Sequence, residues 1–184
     1  MSRWQASGIH LGISAVVAAI VMGVLFLVWY PSTFFTAMGG EQLLYLLVGC
    51  DVVLGPLITL IIYKAGKKGL NFDLAAIGMM QAAALTYGVI VAAEARPVYT
   101  VFVVDRFEVA AANEIDPEEL AKVTRPEYKT LSWTGPRLVG ALKPTNPDDQ
   151  FRMTMAWGQG KDMQHFPQLY VPYPEVAARS EELV

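Results

Sequence analysis

Residues 11–30 read LGISAVVAAIVMGVLFLVWY, and Ser14 is the only small polar side chain among them. At about 1.5 Å per residue, twenty helical residues cover the ~30 Å of hydrocarbon in a bilayer. Two more runs of this kind follow. Residues 43–63 carry one charge, Asp51, and residues 74–93 carry none, with Gln81 and Thr86 as polar exceptions. In lipid the backbone must satisfy its own hydrogen bonds, so each run is expected as a transmembrane helix. A cleaved signal peptide is the competing reading of the first run. That run is longer than the usual ~7–15-residue apolar core, and no A-x-A site follows it. A buried globular core is the competing reading of all three, and three such runs within one hundred residues speak against it. Trp4, Trp29, Tyr30, Tyr45 and Tyr63 lie at the run ends, as interfacial anchors do.

The rest of the chain is a different material. Residues 1–95 hold eight charged side chains, and the other 23 of 31 come later. The expected fold class is a membrane protein: three transmembrane α-helices (11–30, 43–63, 74–93) in a domain over 1–95, then a small α+β extracytoplasmic domain over 96–184. With 54% hydrophobic residues and a mean hydropathy of +0.37, the whole is more apolar than an ordinary soluble domain. A net charge of −3 gives no electrostatic case for nucleic acid. The single Cys50 excludes an intrachain disulfide and a Cys-based zinc site.

Orientation follows from the basic residues. Arg3 precedes the first run, Lys64, Lys67 and Lys68 follow the second, and residues 31–42 have no Lys or Arg. The bias puts the N-terminus and the lysine loop in the cytoplasm and the domain after residue 95 outside it. Arg96 alone counts against this. The lysines also suit contact with anionic membrane lipid.

Asp51 is the most informative residue. It lies about eight residues into its run, roughly 12 Å deep, where a carboxylate is costly unless paired, neutral or hydrated. Gly55 and Thr59 share its face, and Pro56 deprives the Val52 carbonyl of its helical donor, so a kink is expected. Three readings stand: a structural hydrogen bond to Gln81, Thr86 or Tyr87; recognition of a partner; and, third, an ion or proton pathway. Small residues at spacing four, Ala15, Ala19 and Gly23 and then Ala84, Gly88 and Ala92, suit close helix packing. They serve either the protein's own helices or a partner's.

In the second half, residues 98–104 (VYTVFVV) read as a strand extending into 106–109. Asp116-Pro117 and Asn146-Pro147 are cap–proline signatures, opening helices to about 123 and 158. Residues 128–133 and 138–142 read as short strands or extended loops. A last helical pattern runs from Pro174 to Val184 without a C-cap, so the domain is expected to be incomplete at its end. No catalytic constellation is present and no cofactor is implied: His10 and His165 fall on opposite sides of the membrane. Asp105 with Glu108, and Asp148 with Asp149, read as solvated charge. Residues 66–69 (GKKG) lack the spacing of a phosphate loop. Trp157, Phe166, Tyr170 and Tyr173 either face a partner or fill the small core.

Several stretches are familiar together: MSRW with ASGIH at 1–10, WYP at 29–31, DVVLGPL at 51–57, GKK at 66–68, FDL at 72–74, and ARPV leading to DRFEV across 95–109. In this order they resemble the TfpX/TfpZ family of type IV pilin accessory proteins, also described as FimB-like. The match spans most of residues 1–115. The resemblance implies a non-enzymatic inner-membrane protein of a Gram-negative bacterium. Its partner would be a type IV major pilin, met through its transmembrane helix and its globular head, and its role pilin stability or pilus assembly. Members of that family are often longer. The competing readings are a general membrane-anchored interaction protein of another envelope system, such as a homo-oligomer, and a small transporter subunit.

Overall fold

The computed structural model describes residues 1–158 and 160–181. The chain forms two units, Met1–Ala93 and a second from Glu94 onward.

The first unit is helical. Helix α1 (Arg3–Val24) starts earlier than the apolar run because Ser2 and Gln5 form a capping box: Gln5 N donates to Ser2 Oγ at 3.2 Å and Ser2 N to Gln5 Oε1 at 2.8 Å. It widens into a π-helical turn at Leu25–Trp29, closed by Tyr30 N donating to the Leu25 carbonyl. A short helix α2 (Phe34–Ala37) precedes α3 (Gly40–Val48), a second π segment (Gly49–Leu54) and α4 (Gly55–Ile62), which follow one another without a break. Pro56 supplies the reason for the second π segment. The Val52 carbonyl finds no N–H four residues on, and the ladder widens just ahead of the proline. Helix α5 (Leu70–Glu94) completes the unit.

Contacts along these helices fix their sense. Tyr30 Oη donates to the Ala92 carbonyl at 2.8 Å, while His10 and Ser14 border a cleft with Gly78 and Gln81, so α1 and α5 run parallel. Gly55 lies against Gln81 and Ile62 is near Asp73, so α4 runs antiparallel to α5. Leu25, Tyr30, Phe35 and Ala92 form the buried cluster at one end. Arg3, Lys64, Lys67 and Lys68 collect at the other, where Lys67 pairs with Asp73 at 2.5 Å.

Among the described residues, two helices are long and apolar enough to cross a membrane, Arg3–Trp29 and Leu70–Glu94. Their most apolar windows are only 11% and 6% buried, so Ile13, Ile20, Leu27, Met79 and Met80 point outward. A surface this apolar suits lipid far better than water. The apolar helix between them, Asp51–Ile62, is shorter.

The second unit is a small α+β domain. Strands β1 (Pro97–Val103) and β2 (Arg106–Ala111) form an antiparallel hairpin. Strand β3 (Arg137–Ala141) runs parallel to β1, and β4 (Tyr170–Pro172) antiparallel to β3, giving the order β2-β1-β3-β4. The central β1 is buried on both faces, as its continuous apolar run requires. Helices α6 (Pro117–Ala121), α7 (Pro147–Trp157) and α8 (Tyr173–Glu181) complete it. Val98, Val101, Val139 and Met163 pack with the ring cluster of Tyr99, Tyr128 and Tyr170. Burial raises the hydroxyl pKa of all three tyrosines above the ordinary phenol value.

Several expectations are corrected here. Residues 106–109 do not extend the first strand: the chain turns at Val104 and Asp105, with Val104 left-handed at φ 59°. Of the two forms expected for residues 128–133, the structure shows the loop: the end of a 3-10 turn (Pro126–Tyr128) followed by irregular chain. Asp116 stands at the cap position without capping, its carboxylate drawn to Lys161, whereas Asn146 Oδ1 does accept from Asp148 N at 3.0 Å. The end of the last helical pattern, 182–184, lies outside the described residues. Arg96 is buried: Nε donates to the Ser132 carbonyl at 2.8 Å and the guanidinium stacks 3.6 Å over Trp133. It is therefore not a free surface cation for the charge bias to weigh.

Candidate functional site

The helices α1 and α4 meet along a polar seam. Ser7, His10 and Ser14 recur at helical spacing on one face of α1. Ser7 Oγ donates to the Pro56 carbonyl at 2.9 Å, and His10 Nδ1 lies 2.6 Å from Thr59 Oγ1. Thr59 is 2% exposed and Ser14 is buried. A main-chain carbonyl has two lone pairs, so Pro56 takes the serine without leaving its own helix.

At the next turn stands Asp51, 7% exposed. Of its three expected partners, the structure brings Gln81, whose Nε2 donates to the main-chain carbonyl of Asp51 at 3.2 Å. Thr86 and Tyr87 sit on exposed parts of α5. Asp51 Oδ1 and Gln81 Oε1 are both buried without a donor among the described residues. Gly55 explains how Gln81 comes so near: a Cβ there would fall 2.6 Å from Gln81 Cδ and 2.8 Å from Oε1. Asp51 and Gln81 border two clefts. One, of about 260 Å³, lies between α1 and α5 and includes His10 and Ser14. The other, of about 400 Å³, lies between α4 and α5 and includes Gly55 and Ala84.

Asp51, Gly55, Pro56 and Thr59 thus come together, with Gln81. The small-residue stripes divide. Gly88 and Ala92 are buried, Ala84 is exposed beside the second cleft, and Ala15 and Ala19 face outward. Ser7 and His10 lie ahead of the apolar run that begins at residue 11, and their signal in the sequence is the i, i+3, i+7 spacing with Ser14. In the second unit the four singled-out aromatics also divide. Phe166 and Tyr170 are buried, while Trp157 is exposed on α7 with Phe151 and Met155.

Comparison with known proteins bears on what this arrangement serves. A family model described as fimbrial assembly protein FimB matches residues 1–39. The fimbrial assembly protein of Dichelobacter nodosus serogroups C1 and C2 is 38% identical over 118 residues, 63% of this chain and 90% of the relative. The chain belongs to the FimB-like family of fimbrial assembly proteins. The serogroup I protein of the same organism is 34% identical over 171 residues, 92% of this chain. The FimB-like chain spans 66% of the length of that relative, and 66% of the serogroup E1 protein, which is 33% identical. No solved structure matches it. The apolar α1 fits a membrane anchor for a protein of this family.

Proposed function

We propose that this chain is a non-enzymatic inner-membrane accessory protein that binds a cognate type IV pilin and governs its stability or its supply to the growing pilus. The helical unit crosses the membrane three times, with α3, the π segment and α4 as the middle span. The N-terminus and the lysine turn are cytoplasmic, and the α+β domain is periplasmic. The observation that carries the reading is the lateral clefts beside Asp51 and Gln81 in a fimbrial assembly protein. An assembly factor that merely needed an anchor would have no use for buried, unpaired polar oxygens among its helices. The pilin's transmembrane helix docks against this face, and its globular head meets the exposed Phe151, Met155 and Trp157 of the domain.

The test is co-purification of the pilin with the full chain, unaltered and carrying Asp51→Ala or Gly55→Leu. The leucine would push Gln81 out of place and close the second cleft. Recovery of pilin should fall in both variants. Undiminished recovery would remove the helix-docking reading. Loss of the protein with pilin level and piliation unchanged would favour the competing interaction protein of another envelope system.

A further inference from the structure

Two buried oxygens of the helical unit, Asp51 Oδ1 and Gln81 Oε1, lack a donor among the described residues. A buried acceptor without a donor forfeits its hydration and gains nothing in return. Asp51 and Gln81 both line the α1–α5 cleft, with the two oxygens just beneath its surface; the other polar members, His10 and Ser14, lie on α1. The walls include Gly78 and Ala82, and a Cβ at Gly78 would meet nothing within 4 Å, so the α5 backbone is open to close approach there.

Depth selects the occupant. Gln81 stands near the middle of the 25-residue α5, about 16 Å from its start at ~1.5 Å per residue. Lipid headgroup donors stay at the bilayer surface, and lipid tails carry none. A donor that reaches these oxygens from the side must be carried on a helix that itself spans the membrane. We propose that the α1–α5 cleft receives a hydrogen-bond donor (hydroxyl, carboxamide or ammonium) borne by an otherwise apolar transmembrane helix of the partner, with Asp51 Oδ1 and Gln81 Oε1 as its acceptors. This rests on the reading of the chain as a membrane-embedded pilin partner and names the chemistry of the contact.

A benzophenone-bearing residue placed at Ala82, in the cleft wall, tests it in the full chain co-expressed with the pilin. Leu27, 79% exposed and away from the cleft, is the control position. Illumination should link Ala82 to the pilin and leave Leu27 unlinked. Gln81→Leu and Asp51→Leu should each lower the yield about 3- to 18-fold, the range of one interhelical hydrogen bond in a membrane. Asp51→Asn keeps an acceptor oxygen and should retain most of the yield, which separates lost recognition from lost folding. Unchanged yield in both leucine variants, or linkage to phospholipid alone, would overturn the proposal. Pilin that co-purifies but never links at Ala82 defeats this inference and spares the proposed function; pilin that never co-purifies with the unaltered chain defeats both.

Discussion

Replacing His10 and Thr59, singly and together, measures the polar seam directly. His10 Nδ1 lies 2.6 Å from Thr59 Oγ1, and Thr59 is 2% exposed, so water cannot replace a lost partner. Interhelical hydrogen bonds in membrane proteins average about 0.6 kcal/mol and reach about 1.7 kcal/mol in double-mutant cycles. The short distance and full burial of the hydroxyl place this pair in the upper half of that range, near 1–1.7 kcal/mol. Thr59→Val keeps the shape and removes the hydroxyl; His10→Phe keeps a ring and removes both nitrogens. Unfolding would be followed in mild detergent against added dodecyl sulfate, by tryptophan fluorescence in a Trp133→Phe, Trp157→Phe background that leaves Trp4 at the start of α1 and Trp29 in the π turn after it. Each single variant should lower the midpoint, and the double variant should cost less than the sum by about 1 kcal/mol or more. Additivity within about 0.3 kcal/mol would mean that the two side chains do not meet, and the register of α1 on α4 would be wrong.

Three further outcomes concern the soluble unit. Gly140→Ala would put a Cβ 2.8 Å from Val176 Cγ1, where α8 packs on β3, and overpacking of this kind costs about 1–3 kcal/mol; a thermal melt of the full chain in detergent should show the loss. Val104→Asn should stabilise the hairpin by about 1 kcal/mol, because asparagine tolerates the φ of 59° that strains a β-branched residue; an unchanged melt would refute the strain. Tyr99, Tyr128 and Tyr170 have hydroxyl pKa values raised by burial, so the folded domain holds their protons more tightly than the unfolded chain. Their contribution is fully present below the unfolded value of about 10 and is lost as pH rises above it, by up to about 1.4 kcal/mol per pH unit for each tyrosine. Circular dichroism against pH should show alkaline unfolding that begins later in Tyr170→Phe.

What the sequence made legible followed from local physics. Residues 98–103 became most of β1 because a run of β-branched and aromatic side chains has few other homes. Asn146-Pro147-Asp148 opened α7 because the cap lies within reach of its own helix. The hairpin turn was hidden: Val104 and Asp105 lack the glycine or asparagine that marks a left-handed turn. Asp116 failed as a cap because Lys161, 45 residues away, competes for its carboxylate. In the site, Asp51, Gly55 and Thr59 stood out as polar or small residues in an apolar run. Which groups they meet depends on helix rotation, and that is set by packing against α1 and α5. Hence Gln81 reaches the main-chain carbonyl of Asp51, and the unpaired oxygens emerge only in three dimensions.

The central claim is that the polar site among the helices serves the pilin. Pilin half-life and surface piliation in cells lacking this protein, restored with either the unaltered chain or Asp51→Leu at equal abundance, test it most directly. The account predicts that the unaltered chain restores both and the variant restores neither. Full restoration by Asp51→Leu would contradict it.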